Sequence, residues 1–201
     1  MSQISIEVDG VMARVRHLDE IPGKLRHGVE RAMNTIGIEM TRYVKTQKLS
    51  GQSLNVRSGN LRRAIFYRVG STSDDSFVFI GADLNKAIYA RIQEYGGVIR
   101  PKNAAHLTIP IGEALTGNGV ARFTARQLIQ SPGSYGYVGT FTRNKVIFGR
   151  RENKTFEPLF VLKDQVTIKR VGYLNDSMRE RKDWMRGVVK LELEKAISGA
   201  G

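Results

Sequence analysis

Apolar positions along this chain change period several times, and each change marks an element. Ile4, Ile6 and Val8 alternate with Ser5, Glu7 and Asp9, the pattern of a half-buried strand, which Gly10 ends. Ile21, Leu25, Val29, Met33, Ile36, Met40 and Tyr43 or Val44 then recur at steps of three and four, one stripe on a helix. Asp19 and Pro22 supply a start signal, and Ser50-Gly51 a stop, because Gly accepts the left-handed cap. The opposite face carries Lys24, Arg26, Arg31, Arg42, Lys45 and Lys48. The spacing predicts a helix over 20–48.

Ser58 is placed to cap a short helix through Asn60–Ala64. Residues 66–69 and 76–80 are apolar runs around the polar turn 70–75, a hairpin signature. Residues 86–95 read as a helix with Ile88, Ile92 and Tyr95 on one side, stopped by Gly96-Gly97. Residues 98–101 and 106–111 predict a strand pair joined by 102–105. Residues 145–148, 156–163 and 165–171 predict closing strands, and 176–197 a last helix. The stretch 112–144 holds Gly112, Gly117, Gly119, Gly133, Gly136 and Gly139, with one turn of helix around 125–129. The fold class that follows is α+β. A single domain over 1–201 is expected, with an antiparallel sheet packed by a long N-terminal and a C-terminal helix, plus a loop-rich insertion at about 112–144.

Charge changes the picture more than composition does. The chain has 32 Lys and Arg against 19 Asp and Glu, a formal net charge of +13. The excess is spread along the chain, so no basic tail is indicated, and the resulting field attracts polyanions such as DNA. Cysteine is absent, which removes disulfides, thiol nucleophiles and Cys-ligated metals together. The N-terminus lacks the apolar core of a signal peptide, and no window approaches the roughly 18 apolar residues of a membrane span.

Candidate chemistry is sparse. His17, His27 and His106 have no metal-ligand spacing. No Gly-x-Ser-x-Gly elbow is present, and Gly117-Asn-Gly119 lacks the Lys-Ser/Thr of a phosphate loop. Asp74-Asp75 falls in a hairpin turn, which explains it better than acid–base work. No catalytic residue, cofactor or metal is expected, and the chain is read as not an enzyme. Two basic clusters are candidate contacts to DNA or an acidic partner: Arg57, Arg62, Arg63 and Arg68, and Arg150 with Arg151. Neither shows an interleaved aromatic stacking pattern, so a single-strand platform is not expected. Glu94 is expected to bond to the loop beside it, with Arg91 and Arg100 as the candidate partners.

Two segments are distinctive in combination. One is 49–65, with Arg57-Ser58-Gly59-Asn60-Leu61 at its centre; the other is 89–97, with Tyr89, then Glu94-Tyr95-Gly96-Gly97. Together with Ala105–Pro110, Pro158–Leu162 and Val166–Arg170, in this order, they resemble the tail-completion and head–tail joining proteins of long-tailed bacteriophages, the minor tail protein Z or virion morphogenesis type. The resemblance spans about 49–174. It departs where Lys169-Arg-Val-Gly172 stands in place of a Pro-Arg-Pro-like segment, and where 112–144 is longer than in compact members. It implies that Ser58, Gly59, Asn60, Leu61, Tyr89, Glu94, Tyr95, Gly96 and Gly97 specify the fold. It also implies a structural virion protein, assembled in the host cytoplasm, at the head-proximal end of the tail. There it would complete or cap the tail tube and join it to the capsid connector. The partners implied are tail-tube and neck proteins, a homo-oligomeric ring that is often a hexamer, and genomic DNA in the channel, with no membrane and no small-molecule substrate. The alternative is a sequence-independent basic DNA-binding protein of a phage or mobile element.

Overall fold

The structure, a computed structural model, describes residues 6–9, 12–15, 23–51, 54 and 57–198. Asp19 and Pro22, the expected helix start, lie outside the described residues. Contacts divide the chain into two compact units, Met1–Tyr95 with Arg170–Gly201, and Gly96–Lys169. The second is inserted in the sequence of the first, and the expected loop-rich stretch 112–144 falls inside it.

In the first unit, strands β1 (Ile6–Asp9), β2 (Met12–Val15), β3 (Ile65–Ser71) and β4 (Ser76–Ala82) form an antiparallel sheet in the order β1-β2-β4-β3. The sequence analysis predicts no strand at β2. Helix α1 (Gly23–Tyr43) lays the predicted stripe on this sheet: Val29, Met33, Ile36 and Met40 are fully buried with Val15, Val78 and Ile80. Each such side chain contributes about 1.5–3 kcal/mol when taken out of water. The helix continues to 48 as predicted, but its last turn, Val44–Lys48, widens to π geometry. Helix α2 (Asn60–Ala64) follows. Its N-cap is Gly59, in the left-handed region at φ 72°, where Ser58 was expected. The Ser58 hydroxyl receives only a long 3.4 Å contact from the Asn60 N–H.

Helix α3 (Ala90–Tyr95) is shorter than predicted, and it buries the other side. Ala87, Ala90 and Glu94 face inward, while Ile88 is 86% and Tyr95 59% exposed. The predicted last helix is two, α5 (Asn175–Glu180) and α6 (Lys182–Ser198). The chain leaves helical geometry at Arg181 (φ −105°, ψ 14°), whose guanidinium stacks 3.9 Å from the Trp184 ring centroid and 4.9 Å from that of Tyr43. Helix α6 meets α1 at Gly28, where an added Cβ would stand 3.0 Å from the Glu192 carbonyl oxygen.

The second unit has strands β5 (Gly97–Ile99), β6 (Leu107–Pro110), β7 (Gly139–Arg143), β8 (Val146–Arg150), β9 (Phe156–Lys163) and β10 (Val166–Ile168), and helix α4 (Ala125–Gln130). The predicted pairing of 98–101 with 106–111 does not form. β5 pairs with β10, and β6 with β9, in a sheet of order β6-β9-β8-β7. Val98 and Ile99 suit a near or a far apolar partner equally, and the partner that returns along β10 matches them in register. The stretch 112–144 builds a core of its own: Ala114, Phe123, Leu128 and Tyr137 pack with Ile147, Leu159 and Phe160. A capping box starts α4, with the Gln127 N–H donating to Thr124 Oγ1 (3.2 Å) and the Thr124 N–H to Gln127 Oε1 (2.8 Å). A register shift between Ile147 and Phe148 lets consecutive Leu159 and Phe160 both turn inward, the effect of a β-bulge.

Candidate functional site

Glu94 is 2% exposed, and its carboxylate accepts three hydrogen bonds from residues some eighty positions away. The Leu174 N–H donates to Oε2 at 2.8 Å. The Asn175 N–H and Nδ2 donate to Oε1 at 2.9 and 2.7 Å. Those two amides open α5 and have no acceptor within the helix, so Glu94 caps α5 from a distant segment. Neither expected partner takes part: Arg91 is exposed, and Arg100 donates to Gln165 (3.2 Å). Backbone bonds close the same junction, from the Val171 N–H to the Gln93 carbonyl (2.9 Å) and from the Gly172 N–H to the Glu94 carbonyl (3.1 Å). The Tyr173 hydroxyl donates to the Ala90 carbonyl (3.2 Å). Burial, with the Glu94 charge behind it, pushes the Tyr173 phenol well up. Gly96 and Gly97 then leave the helix at φ 74° and 147°, a region closed to most side chains. This set of residues is structural, and Tyr173 and Asn175 are the members that the sequence reading missed.

The other motif segment folds on itself. Arg63 donates to the Ser58 carbonyl (3.1 Å) and to Asn60 Oδ1 (2.5 Å), and Leu61 is buried. Around it the candidate arginines separate. Arg62 and Lys45 pair with no carboxylate among the described residues. They line a concavity of about 320 Å³ with Thr41 and Tyr67, where Arg42 is already paired with Glu39 (2.8 Å). Arg68 lies over the Phe66 ring, 5.3 Å from its centroid. Arg63 and Arg68 line a second concavity of about 590 Å³ with Lys86 and Asp83. Arg57 is exposed, as is Tyr89.

Arg150 and Arg151 belong to the second unit and differ sharply. Arg151 makes two bonds to Glu157 (2.6 and 3.0 Å) and stacks 5.1 Å from the Tyr137 ring centroid, while the Tyr137 hydroxyl donates to Glu157 Oε2 (2.9 Å). The Arg151 guanidinium, and then the Tyr137 hydroxyl bond, hold the Glu157 carboxyl below its usual range. Burial, with the Glu157 bond, pushes Tyr137 up to about 12. Arg151 is therefore engaged within the fold, whereas Arg150 is exposed and has no carboxylate partner among the described residues. Among those residues, no three His, Asp or Glu gather to hold a metal, and no helix is long and apolar enough to cross a membrane. No family model, curated protein or solved structure matches the chain.

Proposed function

We propose that this protein is a structural part of a long-tailed phage particle, at the head-proximal end of the tail. There it completes or caps the tail tube and joins it to the capsid connector, in a ring around the DNA channel. One observation carries the reading. Two charged residues of the motif segments are engaged in building the fold: Glu94 caps α5, and Arg63 closes the turn at Ser58–Asn60. Facing outward are Arg62 and Arg68, neither paired with a carboxylate among the described residues, and the exposed side chains of Ile88 and Tyr95. That division suits a protein that works by contact, with tail-tube and connector proteins as partners and without making or breaking bonds.

Deleting the gene tests this. The expected result is filled capsids beside unattached or abnormally ended tails in electron micrographs, with the protein found by mass spectrometry in purified complete particles. Normal infectious virions from the deletion would overturn it. A second reading, sequence-independent DNA binding, draws on Lys45 and Arg62 beside their concavity and on the net charge of +13. It requires the isolated protein to shift duplex DNA in gels with an affinity that falls steeply as salt rises. The neck reading expects weak binding, or none, without partner rings.

A further inference from the structure

The four-stranded sheet of the second unit is apolar on both faces. An antiparallel sheet covered on one side alternates apolar inside with polar outside, and this one does not. On β8, Ile147 and Gly149 are buried, while Val146 and Phe148 take the opposite side with Arg150. The registers carry that side across the sheet. Phe141, Phe148 and Pro158 form one row, Val146, Val161 and Ile109 the next, and Phe156 stands opposite Arg150. The rings meet: Phe141 stacks on Phe148 (5.2 Å, 9°) and contacts Phe156 edge to face (5.2 Å, 90°). None of these side chains belongs to the core of either unit, and Phe141 is 39% and Phe156 56% exposed. A contiguous apolar surface rimmed by charge marks an interaction site.

The charged residues at outward strand positions are all basic. Arg143 follows Phe141 on the outward side of β7, Arg150 ends β8, and Lys163 ends β9. Arg143 and Arg150 pair with no carboxylate among the described residues, and no Asp or Glu occupies an outward strand position. We propose that this face seats an acidic, apolar segment of a different protein. Its carboxylates reach Arg143 and Arg150, and its apolar side chains cover the three phenylalanines. A second copy of this chain fits poorly, because it would set like charges together in a unit with eleven Lys and Arg against four Asp and Glu. Single-stranded nucleic acid fits poorly as well. Bases need open ring faces to stack on, and here Phe141 and Phe148 each cover a face of the other, with the edge-to-face contact between Phe141 and Phe156 beside them. Only the placing of the partner in the phage neck rests on the function proposed above.

The test is made on the full chain, in the cells that produce it. The photo-crosslinking residue p-benzoylphenylalanine replaces Phe156, or, as a control, Gln130 on α4, which packs on the inward side. The expected result is an adduct from position 156 alone, to a different protein, within a segment bearing Asp or Glu. The combined change Arg143→Glu with Arg150→Glu should cut that adduct about tenfold while circular dichroism stays unchanged. An adduct to a second copy or to nucleic acid, one indifferent to charge reversal, or none above the control would each overturn the proposal. An acidic partner that is absent from purified particles would instead refute the neck reading and leave the seat standing.

Discussion

Replacing Glu94 with Gln tests the junction that holds α3 to α5. The side chain keeps its volume, so no cavity opens, and only the hydrogen bonding changes. Glu94 accepts bonds at 2.8, 2.9 and 2.7 Å, and a bond to a charged acceptor contributes about 1.5–3 kcal/mol net. A Gln oxygen at the Oε1 position retains both Asn175 donors without the assistance of charge. Its NH2 then faces the Leu174 N–H, donor against donor, and orphans a buried amide at about 1–3 kcal/mol. The expected loss is about 2–4 kcal/mol, a large share of the roughly 5–15 kcal/mol that domains possess.

Urea unfolding reads this directly. Trp184 is the chain's one tryptophan and lies on α6 in the first unit, so its fluorescence follows the unit that contains Glu94. With a urea slope of about 1–3 kcal/mol per molar, the midpoint should fall by about 1–2 M. Asn175→Ala removes only the Nδ2 bond and should lose about half as much. A Glu94→Gln midpoint within about 0.2 M of the parent, at unchanged slope, would refute the account of Glu94 as the cap of α5.

Three further outcomes are expected. Gly37→Ala places a Cβ inside the contact distance of the Tyr67 ring; overpacking of about 1–3 kcal/mol exceeds the helix-propensity gain of about 1 kcal/mol. The midpoint should therefore fall, and Tyr67→Leu alongside it should recover part of the loss, whereas an unchanged Gly37→Ala protein would contradict the packing. Asp176, Glu180, Glu192 and Glu157 are held low first by Arg170, Lys48, Lys195 and Arg151 respectively. Depressed carboxyls stabilise fully above their unfolded values, 3.8 for Asp and 4.5 for Glu, and lose that contribution as pH falls through the lower folded-state values. Stability measured against pH should thus be level above about pH 5 and drop below it; a steady rise on acidification would be inconsistent. Lys154 sits at φ 64° in an exposed turn, so Lys154→Gly should stabilise by up to about 1 kcal/mol in thermal melts followed by circular dichroism, and a lower melting point would count against strain there.

Some of this was legible in the sequence, and the reasons are local. The α1 stripe was readable because seven apolar positions held one period over two dozen residues, so the face could be assigned before any partner was known. The 65–82 hairpin was readable because its partners are neighbours in sequence. What failed needed distant information. β5 and β10 are nearly seventy residues apart, and three residues of apolar alternation carry no address. The motif marks Glu94 as fold-specifying, yet its donors at Leu174 and Asn175 lie beyond any sequence window, where the nearer arginines are the visible partners. The inward side of α3 is not legible because Ile88 and Tyr95 outweigh Ala87 and Ala90 in hydrophobicity, while the small residues are the ones buried. Two further signals stand in the sequence: Thr124-x-x-Gln127 before Leu128 is a capping box inside the loop-rich stretch, and Glu157 lies six residues beyond Arg151, within reach of pairing.

The topology gives the Glu94 junction a wider meaning. Residues 96–169 leave the first unit after Tyr95 and return at Arg170, so the first unit sees them as one very long loop. Closing such a loop costs about 2–3 kcal/mol more than closing a five-residue one, because the entropy grows only with the logarithm of length. The bonds at Gln93, Glu94, Val171 and Gly172 lie at the two points where the chain crosses, and they are comparable in size to that penalty. On this argument the length and content of the insert are free to vary, whereas the junction is not. Excising residues 97–168 and bridging the gap with a short Gly-Ser link should therefore leave a cooperative urea transition at Trp184, and Glu94→Gln should cost the shortened chain as much as the full one. A shortened chain without a cooperative transition would show that the first unit depends on the inserted residues for more than closure.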